Sequence, residues 1–133
     1  MKNSLLLSCI FSLSFSWLSF GQSFDGYALY NLQNQNTTYL IDKDQNIAHT
    51  WTLSTECNYT VQLKNNGNLV RGTKNNVQSG GTNNQLNGAA DAGREQEIDP
   101  NGNVVMDFFY SSPTFLSHHD LTLIGDNILI TAW

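Results

Sequence analysis

Two kinds of polar turn, each flanked by apolar runs, occur twice in the same order, and this duplication limits the folds open to the chain. In the first copy Tyr39-Leu40-Ile41 leads into Asp42-Lys43-Asp44-Gln45-Asn46, and the run Ile47 to Trp51 returns. Val61-Gln62-Leu63 then leads into Asn65-Asn66-Gly67-Asn68, and Leu69-Val70-Arg71 returns. Asn-Gly between alternating runs is a strong hairpin signal, because these residues tolerate the positive φ that a tight turn between twisted strands needs. Both hairpins recur. Glu97 to Val105 repeats Leu40 to Ala48 around Asp99-Pro100-Asn101-Gly102-Asn103. His118 to Trp133 repeats the pattern of Asn58 to Thr73 around Gly125-Asp126-Asn127, a turn one residue shorter. No stretch beyond residue 21 sustains a 3.6-residue apolar period with helix caps.

A repeat of about 60 residues holding two hairpins, hence four short strands, is the pattern of β-propeller blades. The sequence therefore predicts an all-β fold in which residues 22–133 form two four-stranded blades. Gly26-Tyr27-Ala28-Leu29-Tyr30 supplies one further strand, of the kind that completes the last blade in ring-closed propellers. Residues 74–91, with Ser79-Gly80-Gly81, are expected to form an exposed loop between hairpins. Two blades fall short of the four to eight that a ring typically takes, and repeat units hide their apolar faces against neighbours. Ile128 to Trp133 is moreover an apolar strand with no following partner. The chain is accordingly expected to be the N-terminal piece of a longer propeller, poorly soluble by itself.

Residues 1–21 form a separate object. Lys2 gives a short basic start, Leu5 to Phe20 is largely apolar, and Ser19 and Gly21 place small residues at −3 and −1 before Gln22. That is the pattern of a cleaved signal peptide, so the mature chain is expected to be secreted or periplasmic. A membrane anchor needs ~20 predominantly apolar residues, whereas this run is interrupted by Ser8, Ser12, Ser14, Ser16 and Ser19. A lipoprotein signal centred on Leu6-Leu7-Ser8-Cys9 would leave most of the apolar run after the cysteine. No membrane span is expected in the mature chain. Removing the segment also removes Cys9, which leaves Cys57 without a partner for an internal disulfide.

Charge and the remaining motifs exclude more than they suggest. Lys and Arg number 6 against 11 Asp and Glu, for a net charge of −5, and the cations are scattered. Nucleic-acid binding, which needs clustered cations, is not expected. Asp42-Lys43-Asp44-Gln45-Asn46 spaces its oxygens like the start of a calcium loop, but Ile47 and Leu53 stand where such a loop requires Gly and Glu. A hairpin turn accounts for it and for its copy at Asp99, and no metal or cofactor is expected. Asn36-Thr37-Thr38 and Asn58-Tyr59-Thr60 match the glycosylation pattern, which chance explains in a chain so rich in Asn and Thr. Arg71 and Arg94 are weak anion candidates, and His49 is expected at the surface or in packing.

His118-His119-Asp120 is the cluster with chemical content. Successive side chains of a regular strand point to opposite faces, so His118 and His119 should not meet one ligand together, and a two-histidine metal site is not expected. Two readings stay open: a hydrogen-bonded histidine pair at a strand entrance, and one imidazole at the mouth of the propeller axis, where strand starts converge and pockets form. The first copy has Asn58-Tyr59-Thr60 at these positions, so the repeat itself does not need the histidines.

The order of these motifs resembles the opening of the bacterial arylsulfotransferases. The residues that carry the likeness run from Gly26-Tyr27-Ala28-Leu29-Tyr30 through Thr38-Tyr39-Leu40-Ile41-Asp42, Ile47-Ala48-His49-Thr50-Trp51, Asn66-Gly67-Asn68-Leu69 and Ile98 to Val105, ending at His118-His119-Asp120 before Asn127-Ile128-Leu129. The resemblance implies an exported six-bladed propeller that moves a sulfuryl group from a phenolic sulfate donor to a phenol acceptor through a transiently sulfated histidine, without a nucleotide donor. It implies a funnel lined by several histidines and an arginine, of which the first histidine matches His119, with His118 as the alternative. That residue would bind sulfate oxygens or handle a proton. The nucleophilic histidine and the arginine belong to later blades and have no counterpart here, so this piece alone is not expected to turn over. Two other classes remain open: a non-catalytic exported propeller that binds glycans or protein, and an adhesion protein whose propeller is a spacer.

Overall fold

The computed structural model describes residues 25–74 and 92–133; the expected signal peptide and nearly all of the expected loop lie outside the described residues. Among the described residues the chain is all-β, with nine strands and no helix: β1 (Ala28–Asn31), β2 (Thr37–Ile41), β3 (Ile47–Thr52), β4 (Cys57–Leu63), β5 (Leu69–Lys74), β6 (Gly93–Ile98), β7 (Val104–Phe109), β8 (Ser117–Ile124) and β9 (Asn127–Ala132). They form three antiparallel sheets in the orders β1-β2-β3, β4-β5-β6-β7 and β8-β9.

The turns form where the sequence places them, for a local reason. Asp42 Oδ1 accepts the backbone N–H groups of Asp44 and Asn46, both at 2.9 Å. In the copy, Asp99 Oδ1 accepts those of Asn101 and Asn103 at 2.9 and 2.8 Å. The carboxylates are thus spent on their own backbone, and hydrogen bonds from Asn46 and Asn103 hold both below the usual carboxylate range. The fourth turn position lies in the left-handed region in both copies. It is Gly102 (φ 88°) in one and Gln45 (φ 66°) in the other, where a side chain makes the same backbone costly.

The sheets do not group the strands as the sequence repeat does. One sequence copy supplies β2 to β5 and the other β6 to β9, yet the four-stranded sheet joins the second hairpin of one copy to the first hairpin of the next. The expected strand near Gly26–Tyr30 is present as β1. It pairs with β2 through Ala28↔Ile41 as β5 pairs with β6 through Leu69↔Ile98, so it is a member of the first sheet and the counterpart of β5.

Between the first two sheets lies the core of Trp51, Leu53, Leu69 and Ile98, flanked by Leu29, Leu40 and Val61. Trp51 Nε1 donates to the Asp99 carbonyl at 3.0 Å, so the buried indole keeps a partner. Burial of each such large side chain contributes roughly 1.5–3 kcal/mol.

The first strand of each later hairpin carries the same irregularity. In the β4–β5 pair Cys57↔Thr73 is followed by Val61↔Arg71, so Asn58, Tyr59 and Thr60 lie opposite one residue, Gly72. In the β8–β9 pair Ser117↔Ala132 is followed by Leu121↔Ile130, and His118, His119 and Asp120 lie opposite Thr131. A bulge of this kind breaks the alternation of faces and re-aims side chains.

Candidate functional site

β8 is held beside β4 by side chains reaching between residues 59 apart in sequence. Thr60 Oγ1 donates to the His119 carbonyl at 2.8 Å, and Gln62 Nε2 to the Leu121 carbonyl at 3.3 Å. Gln62 Oε1 accepts the Leu123 N–H at 2.9 Å. These contacts run straight through the bulge and fix the backbone from which the two histidines project. Asp120 Oδ1 accepts the Thr60 hydroxyl at 3.2 Å.

On this bulge His118 and His119 meet as a hydrogen-bonded pair, one of the two readings open from the sequence, although strand alternation would have set the rings on opposite faces. Their Nδ1 atoms are 2.6 Å apart and the rings stand edge to face at 4.1 Å. The alternation argument assumed a regular strand, and the bulge removes that premise. Two nitrogens this close share a proton: one Nδ1–H donates to the lone pair of the other. Each ring then keeps its Nε2 free of this contact. In the neutral pair one Nε2 is a donor and the other an acceptor, and one added proton makes both donors.

Two further rings complete the cluster. Tyr59 and His119 stand with their rings perpendicular at 5.4 Å, and Trp133 and His118 do the same at 4.4 Å. Both are 45% exposed, so part of each ring stays open beside the imidazoles. Trp133 is kept in place by its backbone N–H, which donates to the Leu116 carbonyl at 3.0 Å. Sequence reasoning met Tyr59 only as the repeat counterpart of His119 and Trp133 only as the end of a strand. Equivalent positions of β4 and β8 come into contact here, and that equivalence was the available signal for Tyr59.

The other candidates have structural roles. Arg71 is fully buried, with Nη2 donating to Thr55 O at 3.0 Å and Thr55 Oγ1 at 2.6 Å, and Nη1 to Cys57 Sγ at 3.0 Å. Burial holds its guanidinium below the ordinary arginine value, with Cys57 acting the other way. Cys57 is itself fully buried. Arg94 grips Asp107 with two hydrogen bonds, at 2.6 and 2.5 Å, and lies 4.7 Å over the Phe109 ring. That pairing holds the Asp107 carboxyl below its usual range. His49 packs edge-on against Trp51 at 4.3 Å. Among the described residues no group of three or more His, Cys, Asp or Glu side chains could hold a metal ion, and no helix is long and apolar enough to cross a membrane.

Comparison of the chain with protein-family models, curated proteins and solved structures yields no match.

Proposed function

We propose that the chain is part of an exported, arylsulfotransferase-like β-propeller in which His119 and His118 hold a sulfuryl group during transfer between a phenolic sulfate and a phenol. The observation that carries the proposal is the joined imidazole pair between Tyr59 and Trp133. An aryl sulfate has two parts to recognise, a flat ring and a tetrahedral group of oxygens that gains charge as the ester bond breaks. Half-exposed aromatic rings suit the first, and Nε2–H donors fixed by their Nδ1 contact suit the second. His119 is the principal donor and proton handler, with His118 as its partner. The covalent step belongs to a histidine that has no counterpart in this sequence. The propeller arrangement is supported by the repeat-spaced contacts between β4 and β8 and by the succession of small antiparallel sheets along the chain.

The test is binding of 4-nitrophenyl sulfate, followed through the imidazole NMR signals of His118 and His119, with transfer to phenol assayed in the gene product containing the later blades. His119→Ala is expected to lower transfer by on the order of 10²–10³, the loss typical of one preorganised donor. Turnover near normal beside a lowered melting temperature would assign His119 to structure alone. Loss confined to His118→Ala would give the leading role to the other ring. The half-exposed rings of Tyr59 and Trp133 also favour a second reading, a non-catalytic binding or adhesion propeller whose aromatic rim stacks on sugars. It predicts binding that is indifferent to the sulfate group and no transfer.

A further inference from the structure

The contact between His118 and His119 joins the two rings through their inner nitrogens and leaves the outer ones for other work. Nδ1 lies 2.6 Å from Nδ1, and both histidines are half-buried. In an imidazole, the hydrogen bond made by one ring nitrogen decides which nitrogen carries the proton. An ionised carboxylate in that role fixes one tautomer, because it can only accept. Here the carboxylate next in sequence, Asp120, is taken up by the Thr60 hydroxyl at 3.2 Å, and the group at each Nδ1 is a second imidazole.

An imidazole can accept a proton at Nδ1 and release one at Nε2. The pair therefore has two neutral arrangements, which differ in the ring that holds the inner proton. Passing between them moves protons alone. The backbone beneath the rings is braced from β4, where Thr60 Oγ1 donates to the His119 carbonyl at 2.8 Å and Gln62 Nε2 to the Leu121 carbonyl at 3.3 Å.

We infer that the pair is a two-ring proton relay, with His119 Nε2 toward the reacting phenol oxygen and His118 Nε2 toward solvent. At the start His118 holds the inner proton on Nδ1 and His119 carries Nε2–H. As the sulfate ester breaks, the departing phenolate oxygen takes the Nε2 proton of His119. The Nδ1 proton of His118 moves to His119 Nδ1, and His118 Nε2 takes a proton from solvent. One proton enters and one leaves, so the pair stays neutral with its tautomers exchanged. When the acceptor phenol attacks the sulfated histidine, its O–H proton goes to His119 Nε2, the inner proton returns to His118 Nδ1, and His118 Nε2 gives its proton back to solvent. The relay is then reset. A single imidazole could do this only by starting each cycle as a cation. The substrate named here rests on the sulfuryl-transfer reading, whereas the relay between the rings does not.

Two measurements test it. In the full chain, isotope-labelled at histidine nitrogen and with the pair neutral, NMR is expected to show coupling between the two Nδ1 nuclei across the hydrogen bond. The Nε2 signals should report both tautomers in exchange. Absence of the coupling, or a single fixed tautomer, would overturn the relay whatever the protein transfers. In the gene product containing the later blades, His118→Asn keeps a hydrogen-bonding group beside His119 but cannot pass a proton. Phenyl sulfate releases a more basic phenolate than 4-nitrophenyl sulfate does, so its cleavage depends more on protonation of the leaving oxygen. The variant is expected to lose about 10²-fold or more in kcat with phenyl sulfate, and less with 4-nitrophenyl sulfate, while KM stays close to that of the parent. Equal losses with both donors would show that His118 only positions His119, which overturns the relay and leaves the sulfuryl reading standing. A parent protein that transfers nothing would count against that reading instead, and the coupling would then decide the relay alone.

Discussion

Exchanging Arg71 for lysine, the substitution that keeps its charge, is expected to harm the fold more than exchanging it for methionine. The guanidinium is fully buried, and its partners are the Thr55 carbonyl and hydroxyl, the Gln96 side-chain oxygen at 3.2 Å and the Cys57 sulfur. None is a carboxylate, and Nε has no partner at all. The cation is therefore held by dipoles alone, and taking an ion out of water costs several kcal/mol. Methionine fills a similar path and removes that cost, while leaving the Thr55 carbonyl short of a donor, a loss of roughly 1–3 kcal/mol. The two effects offset, so Arg71→Met should lie within about 1 kcal/mol of the parent chain. A lysine ammonium is a point charge that cannot span Thr55 and Cys57 as the planar fork does. Arg71→Lys keeps the buried charge with fewer partners and should cost roughly 3–5 kcal/mol. Arg71→Ala falls with the lysine variant, because a large-to-small change in a packed site costs about 2–5 kcal/mol. Urea denaturation with an unchanged m-value gives the comparison. A lysine variant as stable as the parent, with methionine far below both, would refute the reasoning by showing that the charge itself is net favourable here.

Two further substitutions follow from single residues. Gln45→Gly should stabilise the chain by about 0.5–1 kcal/mol, since a left-handed position costs a side-chain-bearing residue about 1–2 kcal/mol, partly offset by the greater freedom of glycine in the unfolded chain; an unchanged thermal midpoint would count against it. Burial holds the Glu95 carboxyl above the ordinary carboxylate value, so the native state binds this proton more tightly than the unfolded chain does. That contribution is whole below the unfolded value and is lost as pH rises through the raised native one. Glu95→Gln, neutral throughout, should therefore exceed the parent in stability at pH 7 by roughly 1–3 kcal/mol and lose its advantage in acid; a gain that is the same at both pH values would point to packing instead.

The turns were legible because their chemistry is local. Asp42 and Asp99 each fold the next four residues onto one carboxylate, and nothing distant is needed to know it. The grouping of hairpins into sheets was not legible, for a reason that belongs to repeats. A four-strand period looks the same wherever the unit is taken to begin, and only non-local pairing, here β5 with β6, selects a starting point. Arg71 sits in an apolar run and gives no sign in the sequence that it will be buried among Thr55, Cys57 and Gln96. A hydrogen-bonded pair of His118 and His119 was one open reading, and the argument that set the rings on opposite faces failed because a period of two was applied across a bulge. The hint was there in the triplets Asn58-Tyr59-Thr60 and His118-His119-Asp120, which interrupt apolar alternation at matching places.

Those two triplets also show how one fold position is put to two uses. In β4 the bulge carries Thr60, and with Gln62 just beyond it supplies the groups that hold the β8 backbone. In β8 the bulge carries two imidazoles that bond to each other, with the His119 ring against Tyr59 of β4. The residues around each bulge remain structural: Val61 and Leu121 stand at the resumption of regular pairing, and Cys57 and Ser117 are buried at its start. A bulge is well suited to this division, because its extra residues are released from the ladder and from the need to fill the core. Bracing from β4 then limits the freedom that the same release gives the histidines. The sequence of the first copy is thus part of the site built on the second, and exchanging Thr60 would disturb the imidazole pair without touching either ring.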